Sequence, residues 1–171
     1  MSSKTGSRPS GICAASVTLG IICVILKIIS LLISDSPYDM IHKLDKNNII
    51  PSMWIWNLAG IFMVFLAGIA AGIIATEVSM ERLDIKKERF AYKGALYFIS
   101  MIFLSVIHYP LFFSCERILI SFLISIITLI CATACAVLWS SVSSKATLLM
   151  GANAFYCVYV AFINLNILAI N

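Results

Sequence analysis

Five uninterrupted apolar stretches decide what this chain can become. They cover residues 11–34, 53–76, 94–115, 118–139 and 146–170. Each is about the 20 residues that an α-helix needs to cross a bilayer. Inside hydrocarbon no water can pair with a backbone amide, so each stretch must bond to itself as a helix. None shows the alternation of an outer-membrane strand. The expected fold is all-α, an integral membrane bundle of five transmembrane helices. A tail of residues 1–10 precedes one transmembrane domain, 11–171. Composition agrees: 61% of the residues are hydrophobic and 12% charged, against about one half and one quarter in soluble domains.

The first stretch follows Lys4 and Arg8, as a signal peptide would. It is longer than a typical signal core, contains Lys27 and lacks a clear small-residue cleavage site, so it is read as a retained helix. Lys27 lies seven residues before Ser34, where its amine is expected to reach the interface. Net charge is +4 and unevenly placed. Lys4, Arg8, Arg82, Lys86, Lys87, Arg89, Lys93 and Lys145 gather on one side; Lys43, Lys46 and Arg117 lie on the other. The positive-inside rule then puts the N-terminus inside and the C-terminus outside. "ERLDIKKER" mixes both signs, reads as a solvated helical connector and gives no sign of nucleic-acid binding.

The six cysteines, Cys13, Cys23, Cys115, Cys131, Cys135 and Cys157, all fall in or at the ends of apolar stretches. That placement suits small buried hydrophobes rather than a disulfide framework. Residues 35–52 form the longest connection, a lid, a partner surface or plain linkage. The connection "CER" is so short that the third and fourth helices must be antiparallel neighbours. On the second helix, Gly60, Ala67, Gly68, Ala71, Gly72 and Ala75 form a small-residue face with GxxxG spacing. Such faces let helices approach closely, within one chain or between subunits.

The segment "SVIHYPLFFSCERILISF" concentrates polar and aromatic residues in an otherwise apolar chain. Glu116 and Arg117 mark the membrane surface, Pro110 sits near a helix end, and Tyr109 with Phe112 and Phe113 suits an interfacial belt. Three polar stripes remain: Met101, Ser105, His108 and Phe112; Ser121, Ser125 and Thr128; and Asn153, Tyr156, Val160 and Asn164. Polar groups in membrane helices turn inward, so these stripes imply a semi-polar seam or pocket, with plain interhelical hydrogen bonding as the alternative.

These residues resemble the translocator protein / tryptophan-rich sensory protein (TspO/MBR) family. Its third helix ends in a motif like L-N-x-x-W-x-P-L-F-F, matched here by Leu104-Ser105-Val106-Ile107-His108-Tyr109-Pro110-Leu111-Phe112-Phe113. Its fifth helix has V-S-P-L-A and a distal L-N, matched by Val142-Ser143-Ser144-Lys145-Ala146 and Ile163-Asn164. Pro51 and the Gly68 region echo two further positions, and the resemblance covers roughly residues 38–171. Three polar or aromatic positions differ: the family's Asn is Ser105, and two of its tryptophans are His108 and Tyr156. Its Pro-Tyr pair is Ala152-Asn153.

The resemblance implies a cavity for a planar hydrophobic ligand, a porphyrin, haem or a sterol, lined by Trp54, Trp56, Ser105, His108, Tyr156 and Asn164. His108 is read as a hydrogen-bonded structural histidine, with ligation of haem iron as the alternative. No cofactor is required and no catalytic acid-base pair is visible, so no enzyme is expected. A sterol-type L/V-x-Y-x-K/R pattern occurs only at Leu32, Tyr38 and Lys43. Expected partners are the lipid bilayer, the hydrophobic small molecule, and a homodimer or larger membrane complex. The alternative function is an accessory subunit of such a complex that keeps the fold without ligand binding. The resemblance implies the mitochondrial outer membrane in a eukaryote and the cell envelope in a bacterium.

Overall fold

The computed structural model describes residues 9–34, 53–80, 83–113 and 117–170. Five helices account for nearly all of them: α1 (Pro9–Ile33), α2 (Met53–Ser79), α3 (Ile85–Phe113), α4 (Ile118–Ser140) and α5 (Ser144–Ile170). All five are long and apolar enough to span a membrane. The chain is therefore an integral multi-pass membrane protein. The 35–52 connection with Pro51, Tyr38 and Lys43, residues 1–8 of the expected tail, Arg82, Cys115 and Glu116 lie outside the described residues, while α1 takes in residues 9 and 10 of that tail.

The helices close a ring in the order α1, α2, α5, α4, α3 and back to α1. The α1/α2, α3/α4 and α4/α5 seams are extensive, whereas α1 meets α3 along a thinner one. α3 begins at Ile85, well before the apolar stretch at 94. Its 29 residues extend about 43 Å, longer than the roughly 30 Å hydrocarbon layer. The "ERLDIKKER" segment is thus partly the first turns of that helix, which explains its solvated side chains.

The small-residue face of α2 packs on α1. A Cβ added at Gly68 would come within 2.6 Å of the Gly20 Cα, and one at Gly72 would collide with the Ser16 backbone. Gly68 and Gly72 of this face thus serve a seam within the chain, while Gly60 faces Tyr156 of α5 and Ala75 is exposed. The close approach also fixes the rotation of α1, whose buried positions between residues 14 and 33 are Ser16, Gly20, Cys23, Lys27 and Ser30.

At the end of the bundle holding the starts of α3 and α5, the core is apolar and tightly filled. Trp139 is 1% exposed, packs on Phe98 with ring centroids 5.8 Å apart, and donates its Nε1–H to the Ala91 carbonyl at 3.3 Å. Gly94 leaves the room this indole occupies, since a Cβ there would overlap Nε1. Ala70, Ala132, Ala146 and Met150 complete the packing, each wholly buried. Cys131 and Cys135 are buried in the same cluster as free thiols.

Candidate functional site

The opposite end is built differently. α3 carries Pro110 three residues before its terminus. Proline has no N–H, so the Val106 carbonyl, four residues earlier, loses its helical donor. The Ser30 hydroxyl of α1 takes that role, donating to Val106 O at 2.6 Å. A deficit created by α3 is thus met by α1, and the thin α1/α3 seam gains a specific pin beside the site.

The three polar stripes all turn inward. His108, Ser121, Ser125, Thr128, Asn153 and Asn164 are buried. Asn164 Nδ2 and His108 Nε2 lie 2.9 Å apart, and the His108 ring stacks on Phe112 at 6.0 Å with a 10° interplanar angle. The Asn153 amide donates to Met101 Sδ at 3.1 Å. The α4 hydroxyls stay within their own helix: Ser125 donates to Phe122 O and Thr128 to Ile124 O. They line the interior without tying α4 to its neighbours.

Between the stripes lies a cavity of about 50 Å³. α3 contributes Ser105, His108 and Tyr109; α4 contributes Ser125 and Thr128; α5 contributes Tyr156, Cys157 and Val160; α1 contributes Lys27. Lys27 corrects the sequence expectation. It does not reach the interface but is 5% exposed, with Nζ 3.6 Å from the centroid of the Tyr109 ring. The cause is the α1/α2 seam: with Gly20 pressed on Gly68, a residue two turns further along the same face must point inward. The signal was present in the spacing of Ser16, Gly20, Cys23, Lys27 and Ser30, a small and polar stripe at helical intervals.

Tyr109 and Phe112 are likewise core residues rather than an interfacial belt. Tyr109 is buried and donates its hydroxyl to Asn57 Oδ1 at 3.1 Å, while Phe112 packs against Trp56 at 6.4 Å. Glycyl space matters once here: a Cβ at Gly60 would sit 3.0 Å from the Tyr156 hydroxyl. That hydroxyl reaches the Trp56 carbonyl only at 3.5 Å, a long bond that holds the ring loosely.

Tyr156 also faces the other way. It lines an open, wholly apolar groove of about 520 Å³ between α2 and α5, with Ala59, Met63, Phe155, Val158, Tyr159 and Phe162. One side chain therefore separates a small polar cavity from a large apolar groove.

Of the six residues expected to line the site, Ser105, His108 and Tyr156 line the cavity. Asn164 stands behind His108, and Trp56, at 2% exposure, forms the wall beyond Tyr156. Trp54 is not brought to the site: it is 66% exposed on the outer surface. Residues two apart on a helix point about 200° away from each other, so Trp54 and Trp56 cannot share a cavity. Sequence reasoning missed Lys27, Tyr109, Cys157 and the groove as parts of one arrangement.

The sequence model of the TspO/MBR family matches residues 16–170. The match takes in α1, which the resemblance from residue 38 left out. No curated protein matches the chain.

Proposed function

The chain belongs to the TspO/MBR family, and on that premise we propose that it is a non-catalytic membrane protein binding a planar hydrophobic ligand, a porphyrin or a sterol, at the α2/α5 seam. One observation carries this reading: the polar cavity and the apolar groove are adjacent and share Tyr156. A site for a drug-sized molecule has roughly 300–1,000 Å³, mostly apolar, with a few placed polar groups. The groove has the volume and the apolar lining. The cavity supplies the polar groups, and at about 50 Å³ it receives only one end of a ligand.

Haem ligation does not fit these residues. His108 has Nε2 engaged by Asn164. An iron porphyrin also cannot enter a space of about 50 Å³. A tetrapyrrole is therefore proposed as a ligand held by its ring in the groove, with no bond to a central metal. The accessory-subunit alternative rests on the replacement of two family tryptophans by His108 and Tyr156 and on the small-residue face of α2, of which Gly68 and Gly72 pack on α1. Family membership carries the proposal of the mitochondrial outer membrane in a eukaryotic host and the cell envelope in a bacterial one.

The test is titration of the purified protein with protoporphyrin IX, following tryptophan fluorescence, with cholesterol as competitor. Saturable quenching at micromolar ligand is expected. Linear, unsaturated quenching, with no competition by cholesterol, would overturn the proposal.

A further inference from the structure

Lys27 is the basic side chain of the cavity, and among the described residues no counter-charge lines the space with it. Its side chain is 5% exposed, and its ammonium rests on the face of Tyr109. Among the described residues no carboxylate and no hydrogen-bond acceptor pairs with it. A buried cation without a counter-charge is costly in a membrane bundle, and such residues mark ion or substrate sites.

The rest of the cavity has the same bias. The Ser105 hydroxyl makes no hydrogen bond among the described residues, the Tyr156 hydroxyl is loosely held, and no acidic side chain lines the space. Ser125 and Thr128 spend their protons on carbonyls of their own helix and can turn to donate elsewhere. A site offering an ammonium and several hydroxyl donors suits an anion. Its volume of about 50 Å³ suits a group the size of a carboxylate.

We propose that Lys27 reads a carboxylate carried by an apolar molecule whose body lies in the α2/α5 groove, with Tyr156 turning aside where head and body join. This rests on the proposed binding function and narrows it. A ligand with acidic side arms completes the cavity, whereas a neutral sterol leaves Lys27 unpaired. The carboxylate could belong to a tetrapyrrole or to a fatty acid, and the experiment separates the two.

Four probes are compared on the full chain in detergent: protoporphyrin IX, its dimethyl ester, oleate and methyl oleate. Binding of the porphyrins is followed by tryptophan fluorescence, and that of the oleate pair by the shift in Tm that bound ligand produces. The wild type is expected to prefer acid over ester by about tenfold or more. Lys27→Met removes the preference by weakening the acid and leaving the ester unchanged, while Lys27→Arg retains most of it. Should Lys27→Met fail to fold, the Lys27→Arg protein and the wild-type acid-to-ester ratio still decide. An acid-to-ester ratio near one in the wild type, or one untouched by Lys27→Met, overturns the proposal and leaves the binding function standing. No binding in either pair overturns both. A Lys27-dependent preference confined to the oleate pair keeps the anion reader and removes the planar ligand.

Discussion

The two ends of the bundle are made from similar helices and obey different rules. Around Trp139 the polar atom is satisfied and the gaps are filled: Nε1 meets Ala91 O, and Gly94 and the neighbouring alanines close on the ring. Around Lys27 the packing leaves a cavity, and polar groups lack partners. Trp56 Nε1, Ser121 Oγ and Asn164 Oδ1 are buried without a hydrogen bond among the described residues, and all lie in this half. Buried polar groups are ordinarily paired, and exceptions call for a reason. The contrast sets a filled end against a partly unsatisfied one, the arrangement that the proposed binding function calls for.

Substitutions should separate the two ends by sign as well as size. The largest effect belongs to the filled end: Trp139→Ala removes a wholly buried indole and should cost about 4 kcal/mol. In a chain of this length that lowers Tm by roughly 8–16 °C, measurable by differential scanning fluorimetry. Next comes the seam that orients α1. Gly72→Ala drives a methyl into the Ser16 backbone and should cost about 2–3 kcal/mol. Because it shifts α1, it should also weaken ligand binding, which Trp139→Ala leaves unchanged in the protein that remains folded.

Smaller effects sharpen the comparison at the site end. Ser30→Ala leaves the Val106 carbonyl without a donor, a loss of about 1 kcal/mol or roughly 2–4 °C in Tm. Lys27→Met should be neutral or stabilising by about 1 kcal/mol, because an unpaired buried charge is replaced by an apolar side chain of similar length. A strong loss of Tm there would put Lys27 among the structural residues and erase the difference between the ends. Trp54→Ala, on the outer surface, should change stability by less than about 0.5 kcal/mol and leave porphyrin affinity intact.

Much of the architecture was legible because the bilayer permits few solutions. Apolar length alone marked all five helices, and the rule that polar groups avoid lipid turned three stripes inward. Helix rotation was the harder quantity. Whether Lys27 reaches water or the interior depends on the Gly20–Gly68 approach, a contact between positions 48 residues apart; the small and polar stripe on α1 marks the face but not the helix it meets. The start of α3 was missed for a related reason: charged turns beyond the membrane carry no apolar signal yet continue the same hydrogen-bonded helix. The groove and cavity were illegible in outline, since the groove exists only where α2 and α5 meet and the cavity only where α1, α3, α4 and α5 converge, although Tyr156 and His108 within them were marked by the family pattern.

Methionine methyl groups report on both ends at once. Met63 lines the apolar groove, and Met150 lies wholly buried in the filled core. In spectra of protein carrying 13C-labelled methionine methyls, saturating protoporphyrin IX is expected to shift the Met63 resonance through the ring current of the bound macrocycle. Met150 should hold its position. A ligand-dependent shift at Met150 with Met63 unmoved, or no saturable shift at either, would contradict the division of this bundle into a structural end and a binding end.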